Sequence, residues 1–106
     1  MRNELARNAG QLLIAGFDGT TLPRSVEKAL GESELGGVIL FARNIESPEQ
    51  VAELNVATYK AAEGHLLPWI AVDQEGGRVQ RLKEPLCRVP PMWAVGQAGD
   101  ARLATR

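Results

Sequence analysis

Apolar positions along the chain gather in three short runs, each closed by glycine or polar residues. Leu12-Leu13-Ile14-Ala15-Gly16-Phe17 ends at Asp18-Gly19 and reads as a buried strand entering a turn. Gly37-Val38-Ile39-Leu40-Phe41 is a second strand, rich in β-branched and aromatic residues. Trp69-Ile70-Ala71-Val72 is a third, and it runs directly into Asp73. Runs this short, without polar alternation, predict strands covered on both faces, with Trp69 in the core.

Between the runs the period changes. Val26 and Leu30 stand four apart in Pro23 to Leu30, a short helix ended near Gly31. Ser47-Pro48-Glu49-Gln50 opens a stronger one. Ser47 can cap free backbone N–H groups, Pro48 loses nothing at the first helical position, and Gln50 can reach back to the cap. Val51, Leu54, Thr58 and Ala61 supply a stripe to lay on a sheet, and Gly64 can end the helix. Strand, helix, strand, helix, strand predicts an α/β fold with parallel pairing. Beyond it, Pro85, Pro90 and Pro91 mark Lys83 to Pro91 as an irregular loop. Gly99-Asp100 then resembles a helix start before Ala101-Arg102-Leu103-Ala104-Thr105-Arg106. The sequence stops one or two turns into that helix, so a truncated domain is expected.

Composition narrows the function classes. The chain has 106 residues, 44% hydrophobic and 24% charged, which suits one small globular domain. A net charge of −1 gives no reason to expect nucleic acid or an anionic membrane as partner. His65 and Cys87 are each alone, so neither an internal disulfide nor a zinc cluster is expected. Met1 to Asn8 carries charge throughout, and no apolar run is long enough for a membrane span, so a cytoplasmic location is the expectation.

Polar groups at the C-terminal ends of parallel strands are where α/β folds bind ligands. Three such ends occur: Phe17-Asp18-Gly19, Phe41-Ala42-Arg43-Asn44, and Asp73-Gln74-Glu75-Gly76-Gly77-Arg78-Val79-Gln80-Arg81. The third is densest. Its carboxylates and guanidiniums hydrogen-bond in fixed directions, which suits sugar hydroxyls, and its Gly-Gly pair can let backbone approach a ligand.

That nine-residue segment, directly after a strand, resembles the signature of family 3 glycoside hydrolases, nearest to the bacterial β-N-acetylhexosaminidases of peptidoglycan recycling. Gly10-Gln11-Leu12-Leu13, Gly36-Gly37-Val38-Ile39-Leu40-Phe41, Arg43-Asn44 and Pro90-Pro91-Met92 add to the resemblance, which covers about Gly10 to Gly96. It implies a partial (β/α)8 TIM barrel, with residues 1–106 as the N-terminal fragment supplying about the first three βα units; the whole barrel takes about 250 residues. The activity implied is retaining hydrolysis of terminal β-linked N-acetylglucosamine from cell-wall muropeptides or related glycosides, with no metal or organic cofactor. The family's aspartate nucleophile and histidine acid/base come from later strands, so no catalytic residue is assigned here; His65 precedes the motif and matches neither family histidine. Asp73 and Arg81 match substrate-binding positions, with Glu75 and Arg78 as candidate supporting residues. A carbohydrate is the partner implied.

Each feature also has a plainer reading. Asp73 can be a strand-end turn residue, Asp18 a turn former with Gly19, and Arg43 and Asn44 braces of the barrel rim. Glu75 is expected to pair with Arg78 or Arg81 and hold the loop. Asp73 and Glu75 as a catalytic pair is disfavoured, because retaining carboxyls flank the bond from opposite sides about 5 Å apart. His65 lies near a helix C-terminus, where positive charge is favourable. A β-glucosidase-like member of the family stays open as an alternative. So does a non-catalytic barrel piece acting in binding or assembly, whose cut strand edges favour self-association.

Ser47→Ala should lower stability by about 1 kcal/mol through loss of the cap. Urea denaturation checks this, and an unshifted midpoint would dismiss Ser47 as a cap.

Overall fold

The computed structural model describes residues 2–105, which form two compact units, one running through Val72 and the other starting at Asp73. The first contains helix α1 (Arg2–Gly10), strand β1 (Ile14–Ala15), helix α2 (Arg24–Gly31), strand β2 (Gly37–Leu40), a 3-10 turn (Ala42–Asn44), helix α3 (Pro48–Ala61) and strand β3 (Trp69–Val72). The strands lie in the order β1-β2-β3 and pair in parallel, Ile14 beside Gly37 and Val38 beside Ile70. This is the α/β alternation that the apolar runs predict.

The core sits around β2. Val38 and Leu40 of β2 are buried together with Leu30 of α2 and Val51, Leu54 and Thr58 of α3. Burying a leucine side chain contributes about 1.5–3 kcal/mol, so this central strand and its two helices carry most of the unit's stability. Thr58 is polar, but its hydroxyl donates to the Leu54 carbonyl at 2.9 Å, which makes its burial tolerable. The outer strands differ from expectation. Trp69, expected in the core, is 71% exposed, and Leu12, Leu13 and Ile14 are exposed too. The reason is topological: β1 and β3 are the sheet's edges, and the described residues cover only the middle.

The predicted cap on α3 is present, with one shift. Ser47 Oγ accepts from the Gln50 N–H at 3.1 Å. The Gln50 side chain reaches back to the Glu46 N–H at 2.9 Å rather than to Ser47. Its Nε2 donates to the carbonyls of Thr20, at 2.7 Å, and Asn44, at 3.0 Å. One glutamine therefore ties the helix start to the loop after β1.

The second unit holds strands β4 (Gln74–Gly76) and β5 (Val79–Gln80), an irregular loop, and helices α4 (Met92–Ala98) and α5 (Ala101–Ala104). Asp100 caps α5, and the Arg102 side chain followed by its backbone N–H holds the Asp100 carboxyl below its ordinary pKa. Arg106, the last residue of that predicted helix, lies outside the described residues. Helices α1 and α4 were not anticipated: α1 buries no periodic apolar stripe, and α4 is announced only by Pro91 before it and the left-handed Gly99 after it. Among the described residues no helix is long and apolar enough to cross a membrane.

The polar centre of the first unit is Asn44, which is fully buried. Its Nδ2 donates to Phe17 O at 3.0 Å and Gly19 O at 2.7 Å, and its Oδ1 accepts from the Phe41 N–H at 2.9 Å. Asn44→Ala would strand these groups and should lower stability by about 2–4 kcal/mol. Denaturation of wild type and variant measures the difference; a change below the error of the midpoint would show that the β1 loop is held by other means.

Candidate functional site

Chemistry-bearing residues of the first unit gather where β1 and β2 end. Phe17 closes the first run, and its carbonyl accepts from both Asn44 Nδ2 and Arg43 Nε, each at 3.0 Å. Arg43 Nε also meets Asp18 Oδ1 at 2.9 Å, and its guanidinium lies 4.9 Å from the Phe41 ring centroid. Arg43 and Asn44 thus have the bracing role expected of them. Asp18 is a paired, solvent-facing carboxylate, worth little to stability because exposed pairs are screened.

The nine-residue motif forms a β-hairpin. Strands β4 and β5 pair antiparallel with Gln74 opposite Gln80 and Gly76 opposite Val79, so Glu75 is the extra residue of a β-bulge. The positions just outside the ladder are Asp73 before β4 and Arg81 after β5. Asp73 and Arg81 therefore flank the open end of the hairpin, one position beyond its last ladder pair. Both are half-buried, and no ion pair joins them among the described residues. Arg81 Nε is buried without a hydrogen-bond partner. A buried donor left open in this way costs free energy unless something completes it.

Glu75 and Arg78 are both exposed. Among the described residues the expected pairing of Glu75 with Arg78 or Arg81 is not formed: the bulge takes Glu75 out of register, and two glutamines hold the segment in its place. Gln74 Oε1 accepts from the N–H groups of Arg81, at 3.0 Å, and Leu82, at 3.1 Å, while its Nε2 donates to Leu82 O at 2.9 Å. Gln80, buried, donates through Nε2 to Leu82 O at 3.1 Å and Cys87 O at 2.9 Å, and accepts from the Val89 N–H at 3.0 Å. Sequence reasoning missed both. The available signal was an amide residue on either side of a Gly-Gly turn.

The Gly-Gly pair expected to admit a ligand is instead filled by the chain itself. Gly76 and Gly77 have φ of 88° and 60°, the left-handed region that a side chain disfavours. A Cβ on Gly76 would fall on the Pro90 carbonyl and within 2.7 Å of the Val89 oxygen; one on Gly77 would press on the Pro91 ring. The Gly77 N–H donates to Val89 O at 2.8 Å. Pro90-Pro91 is thus the platform on which the hairpin turn rests.

Open hollows in the first unit lie elsewhere. One of about 480 Å³ is lined by Tyr59, Leu67, Pro68, Trp69 and Ile70, and one of about 580 Å³ includes Gln11, His65 and Leu66. They surround the start of β3, whereas Asp73 follows its end, and they are walled by the exposed edge rather than by paired polar groups. His65 is exposed there, three residues beyond the cap of α3. Among the described residues no group of three His, Cys, Asp or Glu side chains could hold a metal ion.

The chain is similar in sequence and fold to known proteins. The profile described as "Glycosyl hydrolase family 3 N terminal domain" matches residues 4–106. A beta-hexosaminidase of Nitrosomonas eutropha is 47% identical over 88 residues, 83% of this chain and 25% of that protein. One from Pseudomonas aeruginosa is 46% identical over 89 residues, 84% of this chain and 26% of its own length. The chain thus spans about a quarter of the length of these curated relatives. Among solved structures, a glycoside hydrolase family 3 beta-N-acetylglucosaminidase from Paenibacillus superposes with a TM-score of 0.86 at 40% identity, over 94% of this chain and 19% of that one. NagZ from Neisseria gonorrhoeae in complex with N-trifluoroacetyl-D-glucosamine gives 0.72 at 36% identity, over 85% of this chain and 26% of that one.

Proposed function

The chain belongs to glycosyl hydrolase family 3, and from that membership we propose that it supplies part of the sugar-binding site of a retaining β-N-acetylhexosaminidase. The reaction is hydrolysis of terminal β-linked N-acetylglucosamine from cell-wall muropeptides or related glycosides, in cytoplasmic peptidoglycan recycling. The observation that carries this reading is the open end of the β4–β5 hairpin. Asp73 and Arg81 flank it, and among the described residues no ion pair joins them and Arg81 Nε is buried without a hydrogen-bond partner. A carboxylate accepts from sugar hydroxyls and a guanidinium donates to sugar oxygens, so the two together read both kinds of polar atom on a neutral ligand. The relatives' names, and the N-acyl glucosamine bound by one of them, support the substrate class. Glu75 and Arg78, exposed on the same hairpin, are the supporting residues. Cleavage itself needs a nucleophile and an acid/base from outside this segment; here the chain binds and orients.

The test joins this chain to the remaining three quarters of the Pseudomonas aeruginosa relative and assays 4-nitrophenyl N-acetyl-β-D-glucosaminide. Losing a charged acceptor that holds a hydroxyl costs about 1.5–3 kcal/mol, so Asp73→Ala should lower kcat/KM by roughly 10- to 200-fold. Arg81→Ala should do likewise, and His65→Ala almost nothing. Wild-type kinetics for Asp73→Ala would sink the binding role; an unfolded variant would make Asp73 a structural strand-end residue.

Self-association of the isolated chain belongs to the same reading. Leu12 and Leu67, each two residues before an edge strand, and Trp69, the first residue of β3, are 85%, 80% and 71% exposed. Such edges and patches favour association. Sedimentation of the 106-residue chain should show oligomers; a stable monomer with a sharp, cooperative melt would contradict it.

A further inference from the structure

We propose that Gln74 is a positioning residue for this site: its side-chain amide fixes the backbone at Arg81-Leu82 and so aims the Arg81 guanidinium. The proposal rests on the reading that Asp73 and Arg81 bind the sugar. Strand β5 has two residues, and its last ladder pair is Gln74 with Gln80. Backbone beyond that pair has no strand partner and would ordinarily fray. The Gln74 side chain supplies the missing partner. Its Oε1 takes the N–H groups of Arg81 and Leu82, and its Nε2 returns a bond to Leu82 O, so one amide makes three bonds over two consecutive residues.

Burial does not account for this arrangement, because Gln74 is exposed. Gln80 does not duplicate it either. Gln80 shares the Leu82 carbonyl, but its other bonds run to Cys87 and Val89 and hold the far side of the loop. Among the described residues only Gln74 hydrogen-bonds the Arg81 backbone through its side chain. Gln74 also follows Asp73 directly, so one residue couples the acidic arm of the site to the basic one. Among the described residues Arg81 Nε has no hydrogen bond to hold it, and a long side chain loses rotamer freedom when it is ordered by binding. Fixing its Cα in advance reduces what the sugar must order, which is how preorganisation raises affinity.

Two measurements decide it. In the full 106-residue chain, Gln74→Ala should speed amide hydrogen exchange at Arg81 and Leu82 by about tenfold or more, while exchange at Val38 and Leu40 stays unchanged. In the joined enzyme, Gln74→Ala should lower kcat/KM by about 3- to 30-fold with Arg81 present, and by less than about twofold in an Arg81→Ala background, because residues acting through one another are not additive. Unchanged exchange at Arg81 and Leu82 would overturn the proposal. So would an equal loss in both backgrounds, which makes Gln74 merely structural. If Arg81→Ala and Asp73→Ala both kept full kcat/KM, the sugar-binding reading itself would fall, while the exchange result would still say whether Gln74 holds the segment.

Discussion

The ends of the first two strands depend on one buried amide. Asn44 is fully enclosed, yet it uses both donor and acceptor, reaching Phe17 and Gly19 after the first strand and Phe41 after the second. A buried amide is tolerated only when its partners are in place, so Asn44 makes the ends of β1 and β2 a single arrangement rather than two loops that vary independently. Arg43 shares the Phe17 carbonyl with Asn44, and Gln50 adds the carbonyls of Thr20 and Asn44. The strand β1 is only two residues long, and these bonds beyond its end compensate for that short ladder.

The second unit solves a similar problem with different residues. Its hairpin has few ladder bonds, a bulge at Glu75, and a turn whose two glycines lie against Val89, Pro90 and Pro91. Glutamine amides, rather than ion pairs, hold the strand ends. An amide both donates and accepts and carries no net charge, so it leaves the carboxylate and guanidinium beside it uncommitted. Along these nine consecutive positions the internal hydrogen bonds of the side chains are made by Gln74 and Gln80.

What could be read from the sequence follows the strength of each local signal. The third strand was legible to the residue, as was the cap at Ser47, because an apolar run and a Ser-Pro start are physically unambiguous. The α/β class followed from alternation. Burial of Trp69 was not legible. Apolar character says that a residue favours cover, but whether cover exists depends on which strand is central, and that is a property of the whole sheet. Helix α1 lacks an apolar stripe, so period could not reveal it. The glutamine staples were hidden for another reason: Gln74 and Gln80 look like ordinary strand polar residues until the hairpin register sets them across from each other.

The loop from Leu82 to Val89 is anchored by Gln80, and the anchor reads only main-chain atoms: the carbonyls of Leu82 and Cys87 and the N–H of Val89. The side chains of Lys83, Glu84, Leu86 and Arg88 all face solvent. Such a fastening is indifferent to residue identity and sensitive to spacing. The loop can therefore drift freely in amino-acid composition over evolutionary time, whereas a single inserted or deleted residue would move a carbonyl out of reach and undo the closure.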